Sequence, residues 1–205
     1  MKGATDPHGF DRIVREIFAP IYPVIAEQII EATATRSGKC LDAGCGTGAL
    51  GIALSRISDL HVTFFDQSET MLNLATGYAE QHGIASKSSF LQGDIHAIPL
   101  PDNDLDLVVS RGSSPFWDDW FQAYSEILRI LKPGGKAYIG GGFGNAALRE
   151  AILQAMYERN PDWRNPFKER IKPERDALPG ILGRLNPYAF HFIDDESGFW
   201  ALITK

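Results

Sequence analysis

The sequence predicts an α/β protein built on a doubly wound, mostly parallel sheet. Between residues 38 and 140, short apolar runs alternate with segments whose apolar residues recur at helical spacing. Near the carboxyl terminus, apolar runs at 189–193 and 199–203 flank a turn-forming segment, and this pattern predicts a β-hairpin. We therefore expect one domain over residues 1–205, with helices on both faces of the sheet.

The composition is that of an ordinary globular protein. The chain has 205 residues, of which 44% are hydrophobic and 22% are charged, enough for one sizeable core. No apolar run is long enough to span a bilayer, and the first ten residues lead into no apolar segment of a signal peptide. We expect a cytoplasmic protein without a membrane partner.

The charge and the cysteines limit the classes of partner. The formal net charge of −6 argues against nucleic acid, because phosphate binding needs a basic face. Cys40 and Cys45 form neither a C-x-x-C pair nor part of a second cluster, so we predict no metal site. The sequence does not indicate an oligomeric state.

Two helices are expected before the first strand, within residues 8–33. Residues 10–18 have apolar residues along one side and predict an amphipathic helix. Pro20 and Pro23 interrupt this pattern, and a second helix is predicted from Pro23 to Thr33.

A glycine turn follows the first strand. Residues 40–48 read C-L-D-A-G-C-G-T-G and lead into a segment of helical spacing at 49–57. Gly44, Gly46 and Gly48 permit positive φ angles and a close ligand, and we expect backbone N–H groups at this turn to face open space. The predicted ligand contacts here also include Cys45.

The sequence of this turn is compatible with two kinds of cofactor. Gly44, Gly46 and Ala49 satisfy the dinucleotide pattern G-x-G-x-x-[GA], which makes an NAD-dependent oxidoreductase one reading. Asp42 favours another ligand, because its carboxylate would repel a pyrophosphate and suit an ammonium group beside a positive sulfur. Asp42 is therefore a predicted binding residue.

The second strand, 61–65, ends in another acid. Asp66 lies about twenty residues beyond the glycine turn, where parallel α/β sheets place a carboxylate against ribose hydroxyls. Ser68 is the predicted N-cap of the next helix, which extends to residue 82. Gln67 is expected at the same edge, and Met71 either covers the adenine or belongs to the core.

The third and fourth strands supply the remaining candidates. After the strand Ser88–Gln92, we expect Asp94 to accept a hydrogen bond from an adenine amino group. Gly93 permits close approach there, and Ile95 covers a ring face. After the strand 105–110, Ser110 and Arg111 are expected to face the ligand crevice.

The later segments predict a helix at 117–130, a turn at 131–136 and a fifth strand at 137–140. The segment 144–186 is predicted to be an insertion after the fifth strand. It would contain a helix at 146–159, an irregular stretch at 160–173, and a helix from Pro173 to Leu185.

The motif D-x-G-x-G-x-G at 42–48 resembles motif I of the seven-stranded, class I methyltransferases that use S-adenosylmethionine (SAM), of the small-molecule type. L-K-P-G-G at 131–135 is also common in that family. The resemblance implies a Rossmann-like sheet of order 3-2-1-4-5-7-6 with strand 7 antiparallel. It implies methyl transfer from SAM to a small-molecule acceptor, with S-adenosylhomocysteine (SAH) as product.

The resemblance also suggests how the acceptor is held. Helices before the first strand often cover SAM in this family, so Tyr22 is expected to face the ligand, and residues 144–186 are expected to cap the substrate. Arg111 either holds an acidic group of the acceptor or makes a structural ion pair. No general base is identified, and a SAM-binding regulatory protein without turnover remains an alternative.

Overall fold

The structure is a computed structural model that describes residues 6–163 and 166–205. Within these ranges, seven strands form one sheet of order β3-β2-β1-β4-β5-β7-β6. The strands are β1 (Ser37–Ala43), β2 (Asp59–Asp66), β3 (Ser88–Gln92), β4 (Leu105–Arg111), β5 (Leu131–Gly142), β6 (Ala189–Asp195) and β7 (Gly198–Thr204).

The strand directions confirm the predicted fold class. The strands β1 to β5 pair in parallel, whereas β7 runs antiparallel to both β5 and β6. Asp42 pairs with Val109, and Asp66 pairs with Gln92, so the carboxyl ends of β1 to β4 share one edge of the sheet. The candidate site residues therefore converge there.

Two apolar cores cover the two faces of the sheet. One packs helices α1 (Pro7–Ile13), α2 (Ile21–Thr33), α3 (Ala49–Ile57), α4 (Glu69–Gln81) and α6 (Ala146–Arg159). The other packs α5 (Trp120–Ile130) and α7 (Pro166–Leu185). No helix within the described ranges is long and apolar enough to cross a membrane.

The predicted helix at 10–18 is divided in the structure. The α-helix α1 ends at Ile13, and a π-helical turn, Val14–Phe18, continues it. The second helix begins at Ile21 rather than at the predicted Pro23. Pro23 lies in the first turn of α2, where a backbone N–H has no partner within the helix, so proline is tolerated.

The segments around β4 and β5 also differ from the prediction. The helix predicted from residue 117 begins at Trp120, because the Asp119 side chain caps it by accepting from the N–H of Gln122 at 3.0 Å. The predicted turn at 131–136 belongs to β5. It is an irregular part of that strand, where the pairing with β4 shifts register and Gly134 has a φ of 80°.

The stretch predicted as irregular, 160–173, is partly helical, because α7 begins at Pro166 and contains Pro173. Tertiary contacts stabilise this helix. Buried Glu174 accepts from the Ser114 hydroxyl at 2.8 Å and from the Tyr124 hydroxyl at 3.2 Å, and the apolar face of α7 enters the second core. Two of the residues in the predicted irregular stretch, 164 and 165, lie outside the described residues.

The pairing of β5 with β7 provides a test of the fold. A Cβ added at Gly142 would overlap the carbonyl oxygen of Ser197, whereas a Cβ at Gly180 on α7 would meet nothing within 4 Å. We expect Gly142→Ala to lower the free energy of unfolding by about 1–3 kcal/mol. The matched control, Gly180→Ala, should leave it unchanged or raise it by up to about 1 kcal/mol. Urea unfolding measures both, and equal stabilities would contradict this packing.

Candidate functional site

The glycine turn adopts the backbone that its sequence requires. Gly44, Gly46 and Gly48 have φ angles of 67°, 53° and 82°, in the left-handed region that side chains rarely adopt. A Cβ at Gly44 would also overlap the Ser113 side chain. The turn is therefore specific for glycine on both conformational and packing grounds.

The N–H groups of this turn point into the protein, contrary to our expectation. Those of Gly44 and Cys45 both donate to the carbonyl of Phe65, at 2.8 and 3.0 Å. That of Gly46 donates to Oδ2 of Asp66 at 2.9 Å. These three amides are thus satisfied within the protein, which does not suit a site for pyrophosphate.

Asp42 is buried beneath the turn, with a residue exposure of 2%. Its Oδ2 accepts from the N–H of Gly51, on α3, at 2.9 Å. Burial raises the pKa of Asp42 to about 7, and the negative charge of Asp66 adds to this effect, while the Gly51 hydrogen bond opposes it. A cationic group placed nearby would favour the ionised carboxylate.

Asp66 is held by two backbone hydrogen bonds. Its Oδ1 accepts from the N–H of Ser68 at 2.9 Å, while Oδ2 accepts from Gly46. Each carboxylate oxygen can accept a second hydrogen bond, so the group is both oriented and able to bind hydroxyls. Gln67 is exposed beside it, and Met71 is buried in the first turn of α4.

The segment after β3 continues this edge. The N–H of Gly93 donates to the carbonyl of Asp66 at 3.1 Å, and Ile95 is buried. Asp94 is exposed, and its Oδ1 accepts from both the N–H and Nδ1 of His96, at 2.9 and 2.6 Å. His96 Nε2 accepts in turn from the N–H of Asp119 at 3.1 Å.

These contacts define the role of His96. Because Nε2 accepts a hydrogen bond, Nδ1 carries the ring proton and donates a hydrogen bond to the Asp94 carboxylate. The ring therefore links the loop after β3 to the start of α5. The N–H of His96 is the largest cause that lowers the pKa of Asp94, which keeps this carboxylate ionised as an acceptor.

The two residues at the end of β4 lie on opposite faces of the sheet. Ser110 is fully buried, and its hydroxyl lies 2.5 Å from that of Ser113, which donates to the carbonyl of Ala43 at 3.0 Å. Arg111 is half-buried on the other face, where its Nε donates to the carbonyl of Gly142 at 3.1 Å. The Ser110 side chain thus serves the packing between β4 and β1.

Arg111 and Tyr22, singled out separately in the sequence, come together in the structure. The guanidinium carbon lies 5.4 Å from the ring centres of Phe18 and Tyr22 and 5.9 Å from that of Phe143. Burial raises the pKa of the Tyr22 phenol, and the positive charge of Arg111 opposes this shift. The sequence alone did not single out Phe18 or Phe143 as neighbours of Arg111.

The helix α1 lies against the glycine turn. A Cβ at Gly46 would be 3.3 Å from Cε1 of Phe10. Buried Asp11 accepts from the Tyr78 hydroxyl, at 2.9 and 3.0 Å, and from Nε of Arg15 at 2.9 Å, which fastens α1 to α4. No local sequence signal connects Asp11 with Tyr78, so this anchor was missed.

Comparison with known proteins decides the family. The family model described as a methyltransferase domain matches residues 40–135. A crystal structure from Methanococcus maripaludis, provisionally assigned as a SAM-dependent methyltransferase, is 39% identical with a TM-score of 0.92. The match covers 100% of this chain and 97% of that one. The chain belongs to the family of SAM-dependent methyltransferases.

Other relatives of this methyltransferase have named reactions. The sterol 24-C-methyltransferase erg6 of Aspergillus fumigatus is 33% identical over 143 residues, which are 70% of this chain and 34% of that protein. The O-methyltransferase rstn1 of Aspergillus nomiae is 26% identical over 171 residues, 82% of this chain and 73% of that protein. The chain spans about a third of the length of the sterol methyltransferase.

The site fits the cofactor of the family better than a dinucleotide. SAM carries an ammonium group and a sulfonium, and the buried carboxylate of Asp42 lies under the turn where these charges would be favoured. The amides of Gly44, Cys45 and Gly46, which a pyrophosphate would need, donate to protein acceptors instead. The NAD reading is therefore set aside.

The burial of Asp42 makes stability depend on pH in a defined window. Because its pKa of about 7 in the folded protein exceeds the ordinary aspartate pKa of 3.8, the folded protein keeps a proton that the unfolded chain releases. The contribution of Asp42 to stability is thus fully present below about pH 4 and is lost as the pH rises through about 7. The variant Asp42→Asn lacks this titration.

We expect Asp42→Asn to gain stability relative to wild type between pH 4 and 7, by up to about 1.4 kcal/mol per pH unit. Urea unfolding of the ligand-free protein at several pH values measures the difference. Asp59→Asn, at the exposed start of β2, is the matched control and should show no such gain. If the difference in free energy of unfolding between wild type and Asp42→Asn were the same at every pH, the raised pKa of Asp42 would be contradicted.

Proposed function

We propose that this protein transfers a methyl group from SAM to a small-molecule acceptor and releases SAH. The observation that carries the proposal is the Asp66 carboxylate, fixed between the N–H groups of Gly46 and Ser68 at the edge of the sheet. It joins the glycine turn to the end of β2, where a nucleoside would be recognised. The membership of the family supplies the identity of the cofactor.

Different residues at this edge bind different parts of the cofactor. Asp42 and the glycine turn hold its amino-acid end and sulfur, Asp66 holds the ribose, and Asp94 accepts from the adenine amino group. We propose that the cofactor is contacted by Asp42, Gly44, Cys45, Gly46, Gly48, Asp66, Gln67, Met71, Gly93, Asp94, Ile95 and Ser110. Arg111, which is also expected to face the ligand crevice, is assigned to the acceptor. Ser110 contributes through its backbone, because its hydroxyl is engaged by Ser113.

The chemistry needs orientation more than proton transfer. When bound, SAM supplies a methyl group already activated on a positive sulfur. The task of the chain is to place the acceptor in line and to exclude water, and such alignment is worth up to about 7–11 kcal/mol in model reactions. Tyr22 is a poor general base near neutral pH, because burial keeps its phenol protonated. We assign it to orienting the acceptor.

Elements outside the proposed cofactor site form the side that would bind the methyl acceptor. Residues 8–33 cover the glycine turn through α1, and the π-helical turn and α2 provide Phe18 and Tyr22 next to Arg111. Of the insertion 144–186, α6 packs on the same face as α1 and α2. We propose that α6 limits the acceptor space, while α7 stabilises the opposite core.

We further propose a cytoplasmic protein whose acceptor is a small molecule rather than a nucleic acid. The net charge of −6 disfavours a phosphate backbone. The free thiols of Cys40 and Cys45 suit a reducing compartment.

Methyl transfer is tested with SAM that carries a radiolabelled methyl group. Incubation of the protein with a fraction of small metabolites should give a labelled small molecule and SAH. Binding of SAM without a labelled product from any fraction would instead support a regulatory protein without turnover.

The role of Asp66 is tested by substitution. We expect Asp66→Asn to weaken SAH binding about tenfold, the loss typical of one charge-assisted hydrogen bond. Isothermal titration measures the affinity, and Asp59→Asn, on the same strand but exposed at its other end, should bind as wild type does. If both variants bind SAH equally, Asp66 does not hold the ribose.

A further inference from the structure

We propose that Arg111 binds a carboxylate of the methyl acceptor, whose apolar body packs against the aromatic cluster of Phe18, Tyr22 and Phe143 around the guanidinium. This inference rests on the proposed function and names the class of its substrate. The acceptor would be an organic acid with an apolar or aromatic part.

The first support is the incomplete set of partners around Arg111. Its Nε is used by the carbonyl of Gly142, and the Tyr22 hydroxyl is a neighbouring acceptor. In the part of the chain that the structure describes, no carboxylate lies within ion-pair distance of its guanidinium. The two terminal amino groups therefore retain donors for a ligand.

Other arginines of the chain contrast with Arg111. Arg15, Arg129, Arg159 and Arg175 each form an ion pair with an aspartate or glutamate. Arg111 is half-buried, so its charge has lost part of its water without gaining such a partner. The three aromatic faces offset only some of this cost, because cation–π contacts are worth about 0.5–2 kcal/mol. A bound anion would complete the arrangement.

The nearby Asp42 does not fill this role. It lies on the neighbouring strand and on the same face of the sheet, and both charges act on the pKa of Tyr22. Its carboxylate is nevertheless buried and bonded to the N–H of Gly51, on α3. Asp42 and Arg111 thus form two separate charged positions of opposite sign, which suit different groups.

The position of Arg111 indicates the acceptor rather than the cofactor. Asp66 ends β2 and Asp94 follows β3, whereas Arg111 ends β4, on the other side of β1. The aromatic cluster is built from residues before β1 and after β5, so it belongs to neither of the strands β2 and β3. The N–H groups of the planar guanidinium that remain available match the two oxygens of a carboxylate, and the aromatic side chains around it favour an apolar body beside that carboxylate.

Binding to the SAH-loaded protein tests the proposal. The probes are acetate, benzoate, 3-phenylpropionate and indole-3-acetate, each beside its neutral amide, observed by ligand-detected NMR. We expect at least one aromatic acid to bind tenfold or more tightly than its amide. Arg111→Gln should abolish this preference, and Arg111→Lys, which keeps the charge but loses the planar fork, should retain only part of it. Arg36→Gln, at an exposed position before β1, is the matched control and should leave the preference unchanged.

Titrations with SAH and 5′-methylthioadenosine separate the two sources of a carboxylate, because the second compound lacks the amino-acid part. We expect Arg111→Gln to bind both within about twofold of wild type, which also shows that the variant is folded. A tenfold loss for SAH alone would overturn the proposal, because Arg111 would then hold the cofactor. Equal binding of every acid and its amide to the wild type would also overturn it. Failure of the wild type to bind SAH would instead reject the proposed function.

Discussion

The hydrogen bond from the N–H of Gly46 to Asp66 is the contact on which the site depends. It ties the glycine turn after β1 to the end of β2, 20 residues further along the chain. Gly44 and Cys45 also donate hydrogen bonds to the Phe65 carbonyl in β2, so the conformation of the turn is fixed by its contacts with the sheet. A loop that is fixed in this way is preorganised, so little conformational entropy is lost when a ligand binds.

This arrangement also decides the sign of charge that the site accepts. In a dinucleotide site, the amides of the turn and the first turn of the helix face the pyrophosphate. Here the same amides are satisfied by a carbonyl and a carboxylate, and the N–H of Gly51 on α3 is satisfied by Asp42. The turn therefore has two carboxyl groups, Asp42 and Asp66, at the place where the dinucleotide turn offers free N–H groups. The glycine pattern is shared by the two kinds of site, and the acid two residues before it separates them.

The sheet could be predicted from the sequence because its signals are local. Each strand is a short apolar run, and the Ser68 and glycine-turn signals depend on residues close in the chain. Errors occurred where distant contacts override local pattern, as in α7, whose proline-containing segment is held by Glu174. Phe143 and Phe18 could not be assigned to the Arg111 neighbourhood for the same reason, since 125 residues separate them and only the fold brings them to one side chain.

The same division between local and distant contacts explains why the acceptor is harder to infer than the cofactor. The residues proposed to bind the cofactor follow consecutive strands, and their spacing is set by the geometry of a parallel sheet. The residues proposed for the acceptor side instead lie before β1, at the end of β4 and after β5. None of these segments is constrained by the others in sequence, and the proteins similar to this chain include both a C- and an O-methyltransferase by name. The acceptor proposed for this chain is distinguished by its charge, because a half-buried guanidinium among aromatic rings favours an anion over a neutral or cationic group.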